Sequence, residues 1–135
     1  MPWMLSDSPV EPEPYTEGDQ RKTAALLLNI WSIRANEFKH LSEDFGEVPW
    51  NILLDLTCSA QRGKTVVASD LSIAYDVPKT TMNRYVDYLH NIGLIAKKRD
   101  ADNRVRVLLS LTDEANRIMA ETLSKIDAEL QKGIL

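Results

Sequence analysis

The sequence is poor in the features that usually announce chemistry. It has one cysteine, Cys58, so no internal disulfide can form and nothing points to secretion. Cys58 follows Leu54 by four positions in an apolar helical pattern, which reads as a buried structural thiol. The two histidines, His40 and His90, have no cysteine at metal-ligand spacing, so no zinc site is expected. No stretch approaches the ~18 apolar residues that span a bilayer. The N-terminus also lacks a basic segment followed by an apolar core. The expected location is the cytoplasm, with no membrane partner. The five glycines form no phosphate-cradling loop, and there is no nucleophile elbow. Catalysis is therefore not expected, and no cofactor is called for.

The 135 residues, 44% hydrophobic and 27% charged, suit one soluble domain that buries a core without staples. A net charge of −4 taken alone argues against a nucleic-acid partner, but its distribution argues the other way. Between Gln61 and Leu111 lie nine basic residues (Arg62, Lys64, Lys79, Arg84, Lys97, Lys98, Arg99, Arg104, Arg106) and five acids (Asp70, Asp76, Asp87, Asp100, Asp102). A basic segment inside an acidic chain is what a localised phosphate-binding face would produce.

Residues 1–19 carry four prolines and five acids without apolar periodicity and read as a flexible arm. The single domain then runs over residues 20–135. From about Gln20 to Leu41, Leu27, Ile30, Trp31, Arg34, Phe38 and Leu41 keep the spacing of one helix face. Leu26, Leu28 and Ile33 widen that face beyond what one amphipathic helix needs, so the helix is either wholly internal or packs on a second subunit. Pro49 suits the first turn of a second helix, marked by Trp50, Leu53, Leu54, Thr57 and Cys58 and ending near Gly63. Thr65–Val67 reads as a short strand, and Ser69 as the cap of a following helix with Leu71, Ala74 and Tyr75 inside.

The next segment is the most informative. Val77 precedes a proline and is pushed out of helical geometry, while Pro78 pre-sets a new helix start. Two short helices with so tight a break make a helix-turn-helix. On the second helix, residues 78–92, Met82, Val86 and Leu89 face inward. Lys79, Thr80, Asn83, Arg84 and Asp87 face out, short and polar near the N-terminus, with an asparagine and an arginine able to reach base edges. Thr80 and Thr81, beside the free amides of the first turn, suit phosphate contacts. Gly93 stops the helix.

Residues 95–109 then read as a β-hairpin wing carrying Lys97, Lys98, Arg99, Arg104 and Arg106, with its tip near Asp100–Asn103. A wing arginine in the minor groove would sense groove width. Thr112 opens a last helix, 112–132, with a stripe of Ala115, Met119, Thr122, Ile126 and Leu130. The expected architecture is mainly α (α+β): a winged helix-turn-helix with a two-stranded β-hairpin wing and flanking helices. The DNA-binding core spans 48–111, and helices 20–41 and 112–132 form a dimer interface through Leu27, Trp31, Phe38, Met119, Ile126 and Leu130.

From about Trp50 to Ala115 the chain resembles the MarR family of bacterial transcription regulators. The resemblance rests on Ser69-Asp70-Leu71-Ser72-Ile73-Ala74, Val77-Pro78-Lys79-Thr80-Thr81-Met82-Asn83-Arg84 and Leu89-His90-Asn91-Ile92-Gly93-Leu94-Ile95. The wing Asp100-Ala101-Asp102-Asn103-Arg104, leading to Leu109-Ser110-Leu111-Thr112, completes it. The resemblance implies a homodimer on pseudo-palindromic duplex DNA, commonly a repressor released by a small-molecule effector or by oxidation. It places Thr80, Thr81, Asn83 and Arg84 on the recognition helix. The family's wing Asp-x-Arg matches Asp102-Asn103-Arg104 if this hairpin is one residue longer. A gap-free match instead sets Asn103 and Val105 at those positions, leaving Arg104 and Arg106 as alternatives for the minor groove. No effector-binding constellation is evident. The competing expectation is a winged-helix protein–protein interaction module without specific DNA binding, which gains if Asp87, Asp100 and Asp102 neutralise the cations.

Overall fold

The computed structural model describes residues 14–41 and 45–134. Most of the expected arm, Met1–Glu13 with Trp3, Met4 and Leu5, lies outside the described residues. Helix α1 (Glu17–Phe38) begins three residues before the expected Gln20. The reason is a capping box: Thr16 Oγ1 accepts from the Asp19 amide at 3.1 Å, and the Asp19 carboxylate accepts from the Thr16 amide at 3.1 Å. Those same hydrogen bonds hold the Asp19 carboxyl below its usual range. Helix α1 also stops at Phe38, short of Leu41. Helix α2 (Glu47–Gln61), strand β1 (Val66–Val67), helix α3 (Ala68–Ala74) and helix α4 (Lys79–Asn91) follow. Strands β2 (Ile95–Arg99) and β3 (Val107–Leu111) and helix α5 (Asp113–Ile134) complete the order.

Three helix ends share one device. At α2, α3 and α4 the chain leaves through a residue in the left-handed region: Gly63 (φ 66°), Asp76 (φ 50°) and Gly93 (φ 82°). Each is flanked by the same pair of hydrogen bonds. At α4, Gly93 N donates to His90 O and Leu94 N to Leu89 O; at α3, Asp76 N donates to Ile73 O and Val77 N to Ser72 O. This is the Schellman arrangement. Glycine adopts that backbone without strain, whereas Asp76 carries a Cβ into it. The break between α3 and α4 is thus built from a strained Asp76 followed by Val77 and Pro78, which supplies the extended N-cap of α4.

The wing hairpin is present, and it gains a strand. β1 pairs antiparallel with β3 through Val66↔Leu109 and Val67↔Leu108, giving the order β1-β3-β2. β2 pairs with β3 from Ile95↔Leu111 to Arg99↔Val107. Arg104–Arg106, expected within the second arm, instead close the tip. Because β1 runs straight into α3, Val67 stands at the N-cap position and Ser69 makes no capping bond, contrary to expectation. Thr112 behaves as expected: its Oγ1 accepts from Ala115 N at 3.1 Å and donates to Gly93 O at 2.7 Å, tying the start of α5 to the end of α4.

The core joins α2, α4, α5 and the sheet through Ile52, Leu53, Met82, Leu89, Leu94, Ile95 and Met119. Phe38 closes it from α1, stacked on Phe45 at 4.4 Å and edge-on to Trp50 at 5.8 Å. Beside them the buried Arg34 lies over Trp50 and pairs with Glu47 at 2.7 Å. Helices α1 and α5 pack antiparallel, with Lys125 paired to Glu37 at one end and Gly133 against Leu26 at the other. A second polar tie links α3 to α2. The Tyr75 hydroxyl donates to the buried Asp55 carboxylate at 2.7 Å, and burial together with this bond raises the Tyr75 pKa far above its usual value.

Candidate nucleic-acid interface

The outward face of α4 follows from its sequence. Met82, Val86 and Leu89 are buried, which turns Lys79, Thr80, Asn83, Arg84 and Asp87 outward, all of them exposed; Thr81 is half-buried. Strand β2 lies beside this face. Lys97 Nζ reaches Asp87 Oδ1 at 2.7 Å, and His90 Nδ1 sits 3.1 Å from Ile95 O. Between helix and strand opens a cleft of about 390 Å³ lined by Asn83, Val86, Asp87, Lys97, Arg99 and Val107, among others. The structure therefore brings the polar face of α4 and the wing cations onto one side of the molecule. Strand alternation sets Lys97 and Arg99 on the face toward α4, and Lys98, at the alternate position between them, borders this cleft as well. Lys98 also borders a second cleft with Lys64.

The tip has its own hydrogen bonding. Asp100 N donates to Arg106 O, Arg106 N to Asn103 O, and Val105 N to Asn103 Oδ1. Arg99 Nη1 donates to Arg104 O at 2.8 Å, and Arg106 pairs with Asp100 at 3.3 Å. Arg106 is thus folded back, while Arg104 is exposed at the tip beside the exposed Val105. Among the described residues Lys79, Arg84, Lys98, Arg99 and Arg104 form no ion pair. Of the acids that could have neutralised this side, Asp87 holds Lys97 and Asp100 holds Arg106. Asp102 donates its amide to Asp100 and takes no cation among the described residues.

The expected dimer residues separate into two groups. Leu27 and Trp31 are 61% and 55% exposed, adjoined by Leu28 at 66%, and Leu130 on α5 is also exposed. Phe38 and Met119, by contrast, are 1% and 2% exposed and belong to the core of a single chain. Helical spacing alone sets both on the interface stripe. Phe38 instead turns onto Phe45 and Trp50, and Met119 packs within the core cluster. Ile126 is half-buried. Leu28, read as widening the face, is the most exposed of these α1 hydrophobic side chains. Among the described residues no helix is long and apolar enough to cross a membrane, and no three His, Cys, Asp or Glu side chains converge as metal ligands.

No family model and no curated protein matches the chain by sequence. Solved structures do match in shape. MarR is 20% identical, covering 83% of this chain and 77% of its own, at TM-score 0.58. The YusO protein from Bacillus subtilis is 20% identical, covering 84% and 76%, at TM-score 0.63. MepR from S. aureus, in complex with DNA, is 16% identical, covering 81% and 84%, at TM-score 0.66. Five helices and a small antiparallel sheet in this order give the chain the MarR-like winged-helix fold.

Proposed function

We propose that the chain is a non-enzymatic, DNA-binding transcription regulator that acts as a homodimer, in the cytoplasm, as a repressor. One observation carries this reading. The exposed face of α4 and the wing beside it form a single side that is rich in hydrogen-bond donors and retains cations without acid partners. In this reading α4 enters the major groove, where Asn83 and Arg84 present their amide and guanidinium groups to base edges. Lys79, Thr80 and Thr81 at the start of α4, with Lys98 and Arg99 from the wing, hold the phosphate backbone. Arg104 is the arginine for the minor groove. Arg106 is committed to Asp100, and a guanidinium already neutralised gains less from the negative potential of a narrow groove.

The apolar stripe Leu27, Leu28 and Trp31, exposed on a lone chain, supports a second copy packing against it. A symmetric dimer would then present two α4 helices to half-sites about one duplex turn (roughly 34 Å) apart. A DNA-bound structure with the same fold supports the reading by likeness. The two ion pairs Asp87–Lys97 and Asp100–Arg106 speak for the rival interaction module, because they remove two cations from this side. The remaining cations outweigh them.

Selection of binding sites from a pool of random duplexes tests the proposal. Enrichment of an inverted repeat with centres about 10 base pairs apart is the expected result. A pool that stays random through repeated rounds, with the protein folded and dimeric, would turn the assignment to a protein partner.

A further inference from the structure

Asp87 is an anomaly on the face just described. It stands on the outer side of α4, one turn beyond Asn83, where a carboxylate repels phosphate. Yet its side chain is 59% exposed and not withdrawn from the surface. It also takes Lys97, whose ammonium at 2.7 Å would otherwise be available to the backbone of a duplex. The pair bridges two elements that approach the duplex separately, the recognition helix and the wing strand. Three residues further along α4, His90 Nδ1 meets Ile95 O, two residues before Lys97 on β2. The two links are in register, one helical step against one strand repeat, so they fasten β2 along α4.

Resting on the DNA-binding reading, we propose that Asp87 is a specificity-determining residue. It lowers affinity for duplex in general by holding Lys97 off the phosphates, and it fixes the wing relative to the recognition helix. Lys97 is then a strut and not a phosphate contact. The physical basis is a difference in counterion release. A lysine already neutralised by a carboxylate displaces no cation from the duplex on binding, so it adds nothing to the salt dependence of affinity. A freed lysine does. Its contribution is blind to sequence, so it strengthens non-cognate binding as much as cognate binding and adds no discrimination of its own. The carboxylate itself disfavours acceptor edges in the groove and accepts only from donor edges, such as the amino group of cytosine. Its loss removes that discrimination.

The test is a salt series on the full chain. It uses the selected duplex and a scrambled duplex, with wild type, Asp87→Asn, Lys97→Met and the double variant, each checked for cooperative unfolding. For Lys97→Met the expected salt slope is that of wild type. For Asp87→Asn it steepens by about 0.9, one added phosphate contact, and returns to the wild-type value in the double variant. Preference for the selected duplex over the scrambled one should fall about tenfold in Asp87→Asn, of the order of one lost base-edge discrimination.

A slope reduced by about 0.9 in Lys97→Met alone would make Lys97 an ordinary phosphate contact and overturn the proposal. So would an Asp87→Asn variant with wild-type slope and preference. In both cases the wild type still binds the selected duplex, so the DNA-binding reading survives. A wild type that binds no duplex overturns that reading and this proposal together.

Discussion

Helices α1 and α4 both leave one face uncovered, and the two faces have opposite chemistry. On α1 the uncovered residues are Leu27, Leu28 and Trp31; on α4 they are Lys79, Thr80, Asn83 and Arg84. The difference separates two kinds of incompleteness. An exposed apolar stripe costs free energy in water at roughly 25 cal/mol per Å², so the monomer itself is under pressure to cover it. A polar helix face costs nothing when solvated, so its composition is free to be set by what it meets. The α1 end of the molecule therefore speaks about assembly, and the α4 end about recognition. Between them the core residues Phe38, Trp50, Met82 and Met119 are complete within one chain.

The largest effect should come from breaking the α1 side of this comparison. Leu27→Asp with Trp31→Asp should weaken self-association by more than 100-fold, on the scale of about 3 kcal/mol for two central apolar anchors. Sedimentation equilibrium would read it, and the far-UV circular dichroism of the chain should stay unchanged. Replacing Phe38 instead should unfold the monomer, since it fills the core and not the interface.

Next in size is the tie between α2 and α3 that holds the helix-turn-helix onto the core. Tyr75→Phe leaves the buried Asp55 carboxylate without its hydroxyl partner, at a cost of about 1–3 kcal/mol. Urea denaturation would measure it. The pH dependence has a defined sign. The folded chain holds the Tyr75 proton more tightly than the unfolded chain, so this stabilisation is complete below the unfolded tyrosine pKa of about 10 and is lost as pH rises beyond it. The wild type should weaken above that pH more steeply than Tyr75→Phe.

The wing sharpens the α4 side. Arg104→Ala should lower duplex affinity about tenfold, near 1.4 kcal/mol. Arg106→Ala should change it less than threefold, because Asp100 already holds that guanidinium. Fluorescence anisotropy on the selected duplex would compare them. Equal losses would return Arg106 to the interface.

The smallest effect concerns neither face. Asp76→Gly should stabilise the chain by roughly 0.5–1 kcal/mol by relieving a Cβ in the left-handed region. Thermal unfolding would detect it, and duplex affinity should not move.

How much of this could be read in the sequence follows from which forces are local. Pro78, Gly93 and Thr112 act on their own backbone, and each ends or begins its helix where its chemistry requires. The inward Met82, Val86 and Leu89 were legible because a 3.6-residue period needs no knowledge of what the helix packs on. Helical spacing failed where two surfaces compete for one stripe. It could not tell that Phe38 turns onto Phe45 and Trp50 while Leu27, eleven residues earlier on α1, stays in water. Strand β1 was visible as a β-branched pair, but its addition to β3 is a long-range pairing with no local signal.

The site was legible as a composition and not as an arrangement. The cations between Gln61 and Leu111 are countable in the sequence. That Lys97 is paired with Asp87, that Lys98 borders two clefts and that Arg106 is folded onto Asp100 depends on register and side-chain reach.

The central claim is that the outward face of α4 reads duplex sequence. Anisotropy titrations of the selected and scrambled duplexes, with wild type and Arg84→Ala across a salt series, test it most directly. Wild type should prefer the selected duplex and weaken with salt, and Arg84→Ala should lose about 1–3 kcal/mol of that preference while keeping most of its affinity for scrambled DNA. A preference unchanged by the loss of Arg84, or equal affinity of the wild type for both duplexes, would contradict it.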